Sequence, residues 1–87
     1  MQQTDIKRWR IASDAWKDFV RSHPEFGARP TDNSWIHFQR THAQTLIEAD
    51  VIRRIAYRGR MLADSSRFEE ATFNLLTTGN VEGRRHG

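Results

Sequence analysis

From Asp5 to Val20 the apolar side chains fall at Ile6, Trp9, Ala12, Trp16, Phe19 and Val20, and this spacing constrains the fold more than any other feature of the sequence. Steps of three, three, four, three and one set all six on one side of a 3.6-residue turn. That predicts an amphipathic helix whose stripe must be covered by other elements. Thr4 is placed to cap this helix, and Asp5 stands in its first turn, where a carboxylate complements the helix dipole. Ser13 offers an alternative N-cap, so a break near that residue stays open. His23-Pro24 ends the segment, because the residue before proline is pushed away from helical angles.

Glu25 to Pro30 reads as a loop, with Phe26 folding back onto the core. Thr31 then caps a second helix, with Asp32 in its first turn and a stripe of Trp35, Phe38, His42 and Leu46. Thr45-Leu46-Ile47-Glu48 matches the capping box, which predicts an end to helix two near Ala43 or Gln44 and a third helix from Leu46. One continuous helix is the alternative, since nothing between His42 and Leu46 is a strong breaker. The third helix would turn Val51, Ile52, Ile55 and Ala56 inward and stop at Gly59. Ser66-Arg67-Phe68-Glu69 is a second capping-box match. It opens a fourth helix with Phe68, Ala71 or Thr72, Leu75 and Leu76 inward and Gly79 at its end. No alternating run bounded by hairpin turns stands out. The expected fold is all-α, a bundle of about four helices over residues 1–79, with a disordered basic tail over 80–87.

Length and composition narrow the function classes. A chain of 87 residues makes one domain, burying roughly 60–65% of the surface its unfolded form exposes. The absence of cysteine removes disulfides, thiolate nucleophiles and thiolate metal sites, and favours a reducing cytoplasm. The opening MQQTDIKRWR lacks the apolar stretch of a secretory signal, and no run approaches the ~20 apolar residues of a membrane span. A soluble, cytoplasmic protein is expected, with no membrane partner.

Metal and catalytic chemistry find little support. His37 and His42 are five apart, so they splay around a helix, and His23 and His86 lie in loop and tail. No His-Glu-x-x-His arrangement exists. The carboxylates fall at helix starts and on outward faces, and Gly27, Gly59 and Gly79 stand singly at element ends rather than in a phosphate loop. Neither a catalytic residue, a metal site, a cofactor nor a small-molecule substrate is expected, and the protein is read as a non-enzyme.

Net charge is +3, the sequence pI is near 10.2, and every basic residue except Lys7 and Lys17 is arginine. Arg53, Arg54, Tyr57 and Arg58 would project from the outer face of the third helix, followed by Arg60. Lys7, Arg8 and Arg10 extend this patch if they fold to the same side. Arginine forms bidentate pairs with carboxylates and phosphates, so the patch suits an acidic protein surface or nucleic acid. A helix-turn-helix reader is disfavoured, because the N-terminal residues of the third helix include Glu48 and Asp50. Core packing accounts for the three tryptophans, with Trp9, flanked by Arg8 and Arg10, the best placed to anchor a partner instead.

The stretch Phe19-Val20-Arg21-Ser22-His23-Pro24-Glu25-Phe26, followed by Pro30 and Asn33, resembles a pattern in small helical proteins encoded by phages and prophages. The resemblance covers Phe19 to Asn33 and implies an accessory protein that acts by binding a host or viral macromolecule. Together these readings lead to a non-catalytic accessory or regulatory factor whose arginine-rich surface engages a larger protein. Non-specific nucleic-acid binding by the same residues, or a structural protomer that oligomerises through an apolar face, are the alternatives.

Overall fold

The computed structural model describes residues 8–55 and 59–82. In chain order these form β1 (Trp9–Ile11), α1 (Ala12–Ser22), a single 3-10 turn (Pro24–Phe26), α2 (Asp32–Glu48), β2 (Ile52–Arg54), β3 (Met61–Asp64) and α3 (Phe68–Thr78). The strands make one antiparallel sheet in the order β1-β3-β2. The architecture is therefore a small α+β fold with three helices, and the expected all-α four-helix bundle is corrected on this point.

The correction has two local causes. At the N-terminal end, Trp9 to Ile11 pair with β3, Trp9 opposite Asp64 and Ile11 opposite Leu62. The helical stripe therefore begins only at Ala12. The helix start lies close to the alternative left open near Ser13, with Ile11 as its N-cap, whose backbone is extended and whose side chain caps nothing. Thr4, Asp5, Ile6 and Lys7 lie outside the described residues.

The second cause sits at Asp50. Helix α2 runs without interruption through His42 to Leu46, the continuous alternative, and then stops. Asp50 adopts φ 58°, the left-handed region. Its N–H donates to Ile47 O (2.9 Å) and that of Val51 to Leu46 O (2.9 Å), the paired bonds of a Schellman stop with aspartate where glycine is usual. Arg67 adds a second cap by donating to the carbonyls of Ala49 (2.9 Å) and Asp50 (3.3 Å). Redirected there, the run Val51-Ile52-Arg53-Arg54 becomes a strand, which suits its β-branched residues. The expected third helix from Leu46 to Gly59 does not form: Ile52–Arg54 pair antiparallel with Met61–Ala63.

Other expectations meet the structure directly. Thr31 Oγ1 accepts the Ser34 N–H (3.2 Å), capping α2. Phe26 folds back to stack on Phe19 with ring centroids 5.6 Å apart. Helix α3 buries Phe68, Ala71, Thr72 and Leu75 and ends at Gly79, φ 89°. Its start differs, since Ser66 hydroxyl donates to Asp64 rather than capping the helix. At the other end the chain stays packed past Asn80. Val81 packs against the core, and its carbonyl accepts from Asn74 Nδ2 (3.2 Å). Residues 83–87 of the expected tail lie outside the described residues.

The core lies between the helices and one face of the sheet. Trp16 is its centre, stacked on Phe38 at 4.2 Å and on Phe19 at 5.8 Å, with its indole N–H satisfied by Ser34 Oγ at 2.9 Å. Leu46, Ile52 and Ala63 are fully enclosed beside it. Truncating Leu46 to alanine should cost about 3–5 kcal/mol, since its neighbours come from several elements and do not collapse into the void. Urea unfolding measures this. Leu46→Ala should lower the midpoint at unchanged slope, whereas Ile36→Ala on the exposed side of α2 should shift stability by less than about 1 kcal/mol.

Candidate interaction site

Strand geometry sorts the expected site residues, because neighbours in a strand point to opposite faces. Ile52 and Arg54 pair with Ala63 and Met61 on the face that meets the helices; Arg53 pairs with Leu62 on the outer face, where Trp9 also lies. The arginines of the expected patch are thus divided between two sides of the sheet. Lys7, Tyr57 and Arg58 lie outside the described residues.

On the outer face the arginines are engaged within the protein. Arg53 lies over the Trp9 ring at 4.3 Å, a cation–π geometry. Its Nε and Nη2 donate to Asp50 Oδ1 (2.9 Å) and Oδ2 (3.0 Å). That bidentate pair holds the Asp50 carboxyl below the usual carboxylate range, more strongly than its slight burial raises it, and raises the guanidinium pKa in turn. Arg8 stands 5.7 Å from the same ring, with Nε 3.1 Å from Asp64 Oδ2. The two make an ion pair without hydrogen-bond alignment, and neither atom has a hydrogen-bond partner among the described residues, while Arg67 Nη1 adds a looser ion pair to the same oxygen at 3.9 Å. Asp64 is fully buried; its Oδ1 accepts the Ser66 N–H (2.9 Å) and hydroxyl (2.7 Å). Arg10, on the helix-facing side, reaches Asp18 of α1 at 2.8 Å, which with Arg21 holds that carboxyl below its ordinary value. Arg8, Arg10 and Arg53 therefore spend their charge inside the fold.

Arg54 and Arg60 remain. Both are exposed on the β2–β3 hairpin, and neither makes an ion pair with the described residues. Beside them opens a cleft of about 560 Å³ walled by α1, α2 and the hairpin. Ile11, Trp35, Ile36 and Met61 supply its apolar surface, and Asp14, Lys17, Asp32 and Arg60 its rim. Lys17 Nζ bonds Asp32 Oδ1 at 2.7 Å, tying α1 to α2 at the edge. Ile36 is 37% exposed, one of two large apolar side chains so placed among the described residues. The sequence carried a signal for it, since Ile36 falls off the Trp35-Phe38-His42 stripe and so had no inward role. Met61 and Arg60 gave none until β3 was known.

A second depression of about 430 Å³ is lined by His23, Ser65, Ser66, Glu69, Glu70 and Phe73. Both ring nitrogens of His23 face carboxylates, and the Ser66 hydroxyl is bound to Asp64. Neither residue is arranged as a nucleophile–base pair. Among the described residues no group of three or more His, Asp or Glu is disposed to hold a metal ion. No helix of the described residues is long and apolar enough to cross a membrane.

Removing Asp64 leaves Arg8 facing a buried hole and frees the Ser66 N–H. Asp64→Ala should cost about 3 kcal/mol, the low end for a broken buried pair because Arg8 is 39% exposed. Asp18→Ala breaks an exposed pair and should cost less than about 1 kcal/mol. Equal losses in urea unfolding would show that burial of Asp64 carries no special weight. Comparison of the chain with protein-family models, curated proteins and solved structures finds no match.

Proposed function

We propose that the protein is a non-catalytic accessory factor that seats a short apolar segment of a larger protein, flanked by acidic residues, in the cleft between α1, α2 and the hairpin. One observation carries this reading: exposed Ile36 and half-buried Met61 lie beside Arg54 and Arg60, the two cations of the expected patch among the described residues that no internal carboxylate neutralises. A buried apolar centre with a charged rim is the usual anatomy of a protein interface, and unneutralised arginines at the rim select an acidic counterpart. The resemblance of Phe19 to Asn33 to phage-encoded accessory proteins points to the same class.

Nucleic-acid binding by the same patch is the weaker reading. With Arg8, Arg10 and Arg53 engaged by carboxylates, the described residues of that patch offer two free guanidiniums, Arg54 and Arg60. Duplex binding through them would fall with salt at a log–log slope of only about −2.

Affinity capture from nuclease-treated lysate, run in parallel on wild type, Ile36→Asp and Arg54→Glu plus Arg60→Glu, tests the proposal. Wild type should retain a protein that both variants lose, while their unfolding midpoints stay within about 0.5 kcal/mol of wild type, as expected for surface sites. Retention unaffected by either variant would sink the cleft as the site. A gel shift on duplex DNA with a slope steeper than about −2 would favour nucleic acid instead. A sedimenting mass well above 10.2 kDa, abolished by Ile36→Asp, would mean that the cleft serves self-association.

A further inference from the structure

His23 stands where the end of α1 meets the first turn of α3. Its Nδ1 lies 3.2 Å from Glu25 Oε2, in the 3-10 turn, and its Nε2 lies 2.7 Å from Glu69 Oε2, on α3. An ionised carboxylate only accepts hydrogen bonds, and a neutral imidazole has one N–H, so the two contacts are satisfied together only by the imidazolium. The ring is held in place by aromatic neighbours from three elements: Phe19 of α1 at 4.5 Å, Phe26 of the turn at 6.2 Å and Phe73 of α3 at 5.4 Å. The charged groups around it are acidic. Glu70 lines the same depression, and on α1 the nearest cation, Arg21, is bonded to Asp18 at 3.2 Å.

We propose that His23 is a proton-operated latch that fastens the end of α1 and the 3-10 turn to the start of α3. It is closed while the ring carries both protons and opens when one passes to solvent. On opening, one nitrogen presents a lone pair to a carboxylate, and that contact turns from attraction to repulsion. The segment set free is Pro24–Phe26, whose Phe26 ring covers Phe19 and meets Phe73 edge-on at 5.7 Å. Deprotonation therefore uncovers an aromatic surface that the closed state keeps packed.

The electrostatics favour the closed state. The hydrogen bond that His23 donates to Glu69, helped by the one to Glu25, raises the His23 pKa above the ordinary 6.5 against an opposing contribution from burial. A raised native pKa stabilises the fold fully below 6.5, and this contribution is lost as pH rises through the native value. His42 behaves in the opposite sense. Burial beside Phe38, 5.0 Å away, lowers its pKa, so its contribution is lost as pH falls below 6.5. The molecule thus carries its own reference histidine.

NMR titration of the ring Cε1–H signals of the full chain measures both. The His23 midpoint should lie above 6.5 and the His42 midpoint below it. Amide exchange should report the opening itself. Phe26 and Gly27, whose N–H groups bond His23 O and Pro24 O, should lose protection, relative to the peptide rate at each pH, as pH passes the His23 midpoint. Val51, bonded at the end of α2, should not. Glu69→Gln should lower the His23 midpoint and abolish the step at Phe26 and Gly27; Glu25→Gln should do the same to a smaller degree and serves if the first variant folds poorly. A His23 midpoint at or below 6.5 overturns the latch, as does an exchange step that survives the loss of the carboxylate.

Discussion

Between Glu48 and Ile52 the chain passes from helix to strand in three residues, and it does so by holding Asp50 at φ 58°. Aspartate enters the left-handed region with less strain than most residues but more than glycine. Neighbouring side chains offset that cost. Arg53 clamps the Asp50 carboxylate with two hydrogen bonds, while Arg67 binds the carbonyls that the ending helix leaves open. Every later element depends on this turn. It delivers Val51 and Ile52 into the core, sets the register of β2 against β3, and brings Arg53 to the outer face of the sheet, over Trp9.

The same arginines explain why the expected patch does not stand as one free positive surface among the described residues. Arg8, Arg10, Arg53 and Arg67 act as structural connectors, two of them local (Arg10 to Asp18, Arg53 to Asp50) and two between segments distant in sequence (Arg8 to Asp64, Arg67 to the end of α2). Buried Asp64 is the anchor of the first of these. Its enclosure is tolerated because Ser66 supplies two hydrogen bonds and Arg8 a counter-charge, which is the condition for keeping a carboxylate away from water. With Arg8, Arg10 and Arg53 engaged, the hairpin residues Arg54 and Arg60 are what remains of the expected patch among the described residues; Arg60 lines the cleft that has Ile36 at its edge, and Arg54 pairs across the strands with Met61 of its wall.

Local chemistry was legible in the sequence and long-range pairing was not. The Thr31 cap, the Phe26 plug, the stop at Gly79 and the inward stripe of α3 all follow from residues within about two helical turns of one another. The sheet does not. Strands of three and four residues are too short for an alternating pattern to show, and β1 pairs with a segment some fifty residues away. Trp9 fitted the helical stripe at the right step and still went to a strand, since tertiary pairing outweighs a weak local preference. The arginine patch failed as a unit for a related reason. Arg53 and Arg54 share a broad face on a helix but oppose each other on a strand, so one change of backbone conformation scattered them. The cleft became visible only when α2 and β3 were both in place, with Ile36 its one early trace.

The strand order β1-β3-β2 also bears on how the chain assembles. The middle strand is the last of the three in sequence, so during synthesis neither edge strand has a partner until residues 61–64 have emerged. Until then Trp9 and Ile11 stay in a segment with nothing to pair with, and α1 and α2 can associate before the sheet exists. Closing β1 onto β3 spans most of the chain, and such distant pairing carries a loop entropy that slows folding relative to a bundle of equal size. Three-residue edges limit the hazard of this wait, because they present few open backbone groups to a neighbouring molecule.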